Sequence, residues 1–317
     1  MILLVTNQRD ITMDYIVLEL QRRGIKYFRL NTELLPKYKC TMSYQSRQDW
    51  SIRTPNGEVC GNDITSAYFR RPGMPIIESI IGDDAISYAV AEWQSLLKSL
   101  YMRLDGLWLN SPTNIILAED KPLQLLLAHE LDFDIPAACM TNDLKSAKEI
   151  SSKHNVIGKP LRQALITGAQ ESVIFTNRLN KFTDSDDSAL ALAPIIIQEE
   201  IIKKYDVRVT VVGKEIFPVA IFSQTNKETE VDWRNGARTD LKHSKITLPV
   251  KLERKCFQLV EKLNLKYGAI DFICDVDDKY WFLEINPNGQ WAWIENLTGS
   301  KITDSIIHEL TKSNTFE

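Results

Sequence analysis

The stretch FLEINPNGQWAWIENLTG, Phe282 to Gly299, begins as an apolar strand and sets a carboxylate and an amide two residues apart, at Glu284 and Asn286. It then stops at Pro287 and Gly289. Just before it, AIDFICD (Ala269 to Asp275), a tight DVDDK turn and KYWFLEI (Lys279 to Ile285) read as a hairpin. A turn centred on Asp277 and Asp278 sets Asp271 opposite Glu284, with their Cβ atoms ~4.5–5.5 Å apart, and period 2 places Asn286 on the same face. Two acids directly opposite each other repel. A divalent cation removes that repulsion, and Mg²⁺ favours carboxylate oxygens shared with substrate phosphates. The alternative is that both acids lie on the wet face of an edge hairpin. Ile270, Phe272, Phe282 and Leu283 around them speak instead for a covered sheet.

Towards the N-terminus, Ile2 to Thr6, a helical stripe from Thr12 to Arg23 ending at Gly24, and Lys26 to Leu30 form a βαβ opening. Its first turn is NQRDIT rather than GxGxxG, which argues against a dinucleotide site there. Residues 44–68 alternate around a Pro55-Asn56-Gly57 turn, and YFRRPGMP (Tyr68 to Pro75) breaks the regularity. Trp93, Leu96, Leu97, Leu100, Tyr101 and Leu104 stripe a long helix over Ser87 to Leu104, where the aromatics belong to the core. Asn110-Ser111-Pro112 marks a boundary, and AEDKPLQLLLAHEL follows as a helix with Pro122 in its first turn.

A helix over Asp143 to Lys153 leads to the strand NVIGKP, the turn LITGAQ and the strand ESVIF. Asn180 to Ser188 reads as a mobile surface loop. PIIIQEEI (Pro194 to Ile201) is an apolar strand that turns acidic, and YDVRVTVVG with EIFPVAIFS forms a hairpin. Leu252, Cys256, Leu259, Val260 and Leu263 stripe a further helix. No internal repeat is visible.

With 317 residues, 44% of them apolar and 25% charged, the chain can bury a full core. A net charge of −4 and scattered basic residues argue against nucleic acid or an anionic membrane as the partner. The longest apolar runs are about half the ~20 residues that a membrane span needs, and the start turns polar too soon for a signal peptide. Five dispersed cysteines without a CxxC pair suit a reducing, cytoplasmic setting.

DFI followed by FLEINPNGQ resembles the metal-binding block of ATP-grasp ligases. The longer EINPNGQWAWIE resembles the branch that modifies ribosomal peptides, the microviridin-type or graspetide macrocyclases. DK (Asp120, Lys121), the lysine of NVIGKP (Lys159), QEEI (Gln198 to Ile201), DVRV (Asp206 to Val209) and VDWR (Val231 to Arg234) stand in that family's order, and YFRRP is similar to part of its N-terminal domain.

The resemblance implies an α/β (α+β) ATP-grasp fold with a Rossmann-like pre-ATP-grasp domain over 1–112, a central domain over 113–200 and a C-terminal domain over 201–317. It implies ATP and Mg²⁺ as cofactors, with the metal on Asp271, Glu284 and Asn286. Lys121 and Lys159 would neutralise phosphates, Gln198, Glu199, Glu200, Ile201 and Asp206 would hold the nucleoside, and Arg234 with Arg208 would serve catalysis. Each lysine taken alone is an ordinary solvated charge, and Asp206 with Arg208 alone reads as an ion-pair network. The loop LRQALITGAQ is poorer in glycine than many phosphate-covering loops of this fold.

The implied reaction activates an Asp or Glu side chain of a precursor peptide, leader plus core, as an acyl phosphate. A Thr or Ser hydroxyl or a Lys amine then captures it, and the enzyme needs no nucleophile of its own. A RimK-like ligase that adds an amino acid, and a non-catalytic peptide-binding protein, remain the rival readings. Arg70 and Arg71 either meet acidic peptide or brace a domain interface, the bracing role being favoured, and a homodimer stays open.

Overall fold

The computed structural model describes all residues except 79–81, 163–164, 167–171, 174–175, 226–228, 235–239 and 313–317, and leaves out the side chains of 165–166 and 172–173. Residues 167–170 of the LITGAQ turn and 163–164 of the loop after Lys159 lie outside the described residues, while Leu165–Ile166 pairs as a strand with Ser172–Val173.

The N-terminal part is built on a parallel three-stranded sheet with Ile2–Thr6 between Tyr27–Asn31 and Ser66–Phe69. Every residue of the central strand is buried, as a parallel strand covered on both faces requires. Asp10 caps the helix Ile11–Arg22, whose Met13, Ile16 and Leu20 pack with Ile302, Ile306 and Ile307 of the C-terminal helix Ile302–Thr311. On the opposite face, Leu97 and Leu100 of the helix Asp83–Arg103 join Leu3, Val5 and Trp108. That helix starts at Asp83 rather than Ser87, with two acids in its first turn to match the positive end of the helix dipole. A separate antiparallel sheet of Lys39–Met42, Trp50–Thr54 and Gly57–Cys60 contains the expected Pro55-Asn56-Gly57 turn.

The central part is an antiparallel sheet in the order Asn177–Leu179, Val156–Lys159, Ile195–Glu199, Ala138–Thr141, with the helix Leu144–Lys153 behind it. The segment read as a loop contains a 3-10 turn, Asp184–Asp186, and a short helix, Asp187–Leu190. Reciprocal Thr183–Asp186 hydrogen bonds start it and buried Leu190 anchors it, two local contacts that a polar composition hides.

The C-terminal part is an antiparallel five-stranded sheet in the order His243–Lys245, Glu215–Ile221, Lys203–Val212, Tyr267–Asp275, Tyr280–Asn286. Period 2 divides its central strand. Val207, Val209 and Val211 pack with Cys256, Leu259 and Val260 of the helix Val250–Lys262, while Asp206, Arg208 and Thr210 occupy the other face.

Candidate active site

Asp271 and Glu284 are register partners across the last hairpin. The turn itself supports a register one residue out, since Phe272 faces Phe282 and Cys274 faces Tyr280. A bulge between Asp271 and Phe272 restores the pairing of the two acids. The expected pair is therefore present for a reason that the turn alone did not contain.

On its other side Asp271 faces Arg208, and the Arg208 Nε lies 2.6 Å from Asp271 Oδ1. The contact is off the hydrogen-bond direction, so both atoms are buried without a hydrogen-bond partner. Burial pushes the Asp271 carboxyl up to about 6, opposed by Arg208 and reinforced by Glu284. Burial also acts to raise Glu284, but Lys121, Arg234 and Lys159 outweigh it and hold Glu284 below the usual carboxylate range. The pair is thus split, with Glu284 the firmly ionised member.

Those cations converge from three separate elements. Lys121, the first residue of the Asp120-capped helix Lys121–Glu130, places its Nζ 3.6 Å from Glu284 and donates to Pro160 O at 3.1 Å. Lys159 ends the strand Val156–Lys159 and donates to Gln198 Oε1 at 2.6 Å. Burial, with Lys121 and Arg234 nearby, brings its ammonium down to about 8. Arg234 lies 3.5 Å from Glu284, and its Nε and Nη2 each donate to buried Asp232 at 2.9 Å. All of these groups line one cleft between the central and C-terminal sheets.

An orphaned Asp271 oxygen beside an ionised Glu284 suits a hard cation bound through oxygen, and the surrounding positive charge suits phosphates. Asn286, on the same strand, fits less directly. Its Oδ1 accepts from Asn288 N at 2.9 Å, which leaves one lone pair for a cation, and it does not line the cleft.

The structure places the remaining expected residues unevenly. Gln198 and Glu199 line the cleft, whereas Glu200 and Ile201 do not. The Glu199 and Glu200 amides donate to Ala137 O and Asn155 O, and the side chains of these two acids meet His154 and Arg178. Asp206 reaches the cleft but is bound by Lys203 Nζ at 2.9 Å and by the Ser223 hydroxyl. Arg208 lies behind Asp271, outside the cleft lining.

Sequence reasoning passed over several supports. Asp232 clamps Arg234, a spacing of two that VDWR displays. Gln124 is buried and grips Ile285 through both backbone groups, accepting from its N at 3.0 Å and donating to its O at 2.8 Å, which fixes the strand beside Glu284. Arg70 is fully buried, and its contacts are those of the favoured bracing role. It pairs with Asp10 at 3.1 Å and donates to Gly289 O at 3.2 Å, tying the N-terminal sheet to the chain beyond Asn286. Gly289 does not need a positive φ. A Cβ there would meet Ala269 Cβ at 2.6 Å and Arg208 Nη1 at 3.2 Å, so this position is glycine for space.

Residues 118–310 match the RimK-like ATP-grasp domain, and residues 1–116 match the MvdD pre-ATP grasp domain. No curated protein matches the sequence. Among solved structures, a RiPP-associated ATP-grasp ligase of Chryseobacterium gregarium, in complex with ADP and a leader and core peptide, is 29% identical. Its TM-score is 0.88, over 98% of this chain and 96% of that one. Macrocyclase MdnC of Microcystis aeruginosa, bound with precursor peptide MdnA, is 25% identical with a TM-score of 0.84 over 98% and 99%. Macrocyclase MdnB of the same organism is 26% identical with a TM-score of 0.80 over the same shares. The chain therefore has the ATP-grasp fold and belongs to the RimK-like ATP-grasp ligases, in the branch that carries an MvdD-type pre-ATP-grasp domain.

Proposed function

We propose that this protein is an ATP-dependent macrocyclase of a ribosomally synthesised precursor peptide. The observation that carries the reading is the Asp271–Glu284 pair ringed by Lys121, Lys159 and Arg234 in one cleft, on a chain whose N-terminal part is of the MvdD type. Asp271, Glu284 and the free lone pair of Asn286 would hold Mg²⁺, which when bound neutralises charge between the ATP phosphates.

The residues of the chain do the rest. Lys121 and Lys159 bind phosphate oxygens, and Gln198 and Glu199, which line the same cleft, would meet the nucleoside. Arg234, oriented by Asp232, stabilises the phosphoryl group in transfer. Arg208 is a positioning residue that holds Asp271. Glu200, Ile201 and Asp206 act from behind the cleft wall or from its floor. An Asp or Glu carboxylate of the precursor attacks the γ-phosphorus and ADP leaves. A Thr or Ser hydroxyl or a Lys amine then attacks the acyl carbon, and phosphate leaves with formation of an ω-ester or ω-amide ring.

The test is incubation with Mg²⁺, ATP and the product of an adjacent small reading frame rich in Thr and Glu or in Lys and Glu. The expected outcome is loss of one water per ring with release of ADP. A gain in mass with free glutamate would favour amino-acid ligation, and peptide binding without ADP release would favour a non-catalytic role.

A further inference from the structure

The Trp291-Ala292-Trp293 segment divides in two. Trp291 is fully buried in the core between the N-terminal helix and the C-terminal helices, edge-on to Tyr15 at 6.3 Å. Trp293, in the helix Ala292–Thr298, is only half-buried. It packs against Trp233 at 5.3 Å and, edge-on, against His243 at 5.2 Å, while its Nε1 donates to Gln290 O at 3.1 Å. Trp233 stands between Asp232 and Arg234, and the Arg208 guanidinium lies 5.7 Å from the centre of its ring.

We propose that Trp293 is a positioning residue that acts through Arg234. The Trp233 ring contacts both Trp293 and the Arg208 guanidinium, and these contacts steady the short segment that aims Arg234 at the cleft. Arg234 is half-exposed and its bonds to Asp232 are internal to the segment. Among the described residues its head group also meets Glu284 at 3.5 Å, a side chain that a bound cation and phosphates would compete for. A segment that must stay in place while its charged contact changes partner needs an attachment independent of charge, and a packed pair of tilted aromatic rings provides one that salt does not screen. Arg208 serves both sides: it holds Asp271 and lies against Trp233, so the acid pair and the Arg234 segment share one support. The inference rests on the proposed role of Arg234 in phosphoryl transfer.

The test is a double-mutant cycle on Trp293→Ala and Arg234→Ala, read as ADP release with the precursor and as the affinity for a non-hydrolysable ATP analogue relative to ADP. Trp293→Ala should lower kcat about tenfold, with the ADP affinity and melting temperature little changed, and should weaken the analogue about tenfold. Trp293→Phe, which keeps the ring face and loses the bond to Gln290, should retain most of the activity. In the Arg234→Ala background, Trp293→Ala should have no further effect.

Additive losses, or an equal loss of ADP affinity, would overturn the positioning role while leaving the proposed function standing. If Arg234→Ala itself keeps full turnover, the roles proposed for Arg234 and for Trp293 both fall, while ATP-dependent turnover stands. If Trp293→Ala does not fold, Trp293→Leu takes its place in the same cycle with the same expectations.

Discussion

Asp271 faces Glu284 across one strand pair and Arg208 across the other, so a buried carboxylate sits between a like charge and an opposite one. Arg208 offsets part of the repulsion, and what remains explains why the Asp271 carboxyl is pushed up to about 6 while Glu284, reached by Lys121, Arg234 and Lys159, is held down. Without a cation the pair is poised between one and two negative charges.

Replacing Glu284 by Gln removes the ionised member and leaves the shape. Mg²⁺-dependent ADP release should fall by at least ~100-fold, the order seen when one stabilising group is lost from a charge-developing site. Circular dichroism should be unchanged, and full turnover in this variant would refute the metal assignment.

Lys159 gives the site a pH dependence of definite sign. Burial brings its pKa from 10.5 down to about 8. Its proton is therefore lost sooner in the folded chain than in the unfolded one, and between those values stability rises with pH. Phosphate binding runs the other way: affinity for metal-free ADP should fall as pH rises through about 8. Lys159→Met should bind weakly at every pH with that slope gone, measured by titration calorimetry.

Gly289 is closed to a larger side chain. Gly289→Ala forces a Cβ against Ala269 and towards Arg208, and overpacking of this kind destabilises by ~1–3 kcal/mol. The midpoint of urea unfolding should drop with its slope unchanged. The same variant should lose turnover at temperatures where it is folded, because part of the strain falls on Arg208, the side chain that holds Asp271.

Arg70 and Asp10 form a buried ion pair within the N-terminal part, and Arg70 also donates to Gly289 O in the turn after Asn286. Breaking such a pair by removing one partner strands the other charge and costs ~3–5 kcal/mol. Arg70→Met and Asp10→Asn should each destabilise strongly in urea titrations, and the double variant should lose much less than the two together.

How far the site was legible in the sequence varies from residue to residue. The acid pair could be read because strand period and an acidic turn are local properties, and the lysines and VDWR could be placed by their order along the chain. Asn286 sits on the expected strand, yet its Oδ1 turns back to Asn288, a local hydrogen bond that competes with any ligand. Glu199 and Glu200 lie on the expected strand end with their amides and side chains already engaged, because strands and a helix cap from distant sequence close around them. No helix among the described residues is long and apolar enough to cross a membrane.

By itself the sequence determined the order of the strands and helices, the βαβ opening and the paired acids, because these follow from periodicity and spacing, whereas the basic residues were singled out by the resemblance. Tertiary structure decided what no spacing encodes. A bulge aligns Asp271 with Glu284 against the register of their own turn. Arg70 proves to be a buried clamp, because the side chain it needs, Asp10, and the carbonyl it grips, at Gly289, are brought to it by different domains. Of the two tryptophans in one tripeptide, one enters the core and the other reaches Trp233 beside the cleft. The opening stretch, FLEINPNGQWAWIENLTG, thus supplies two of the groups proposed for the metal site and also, through Trp293, part of the packing around the Arg234 segment.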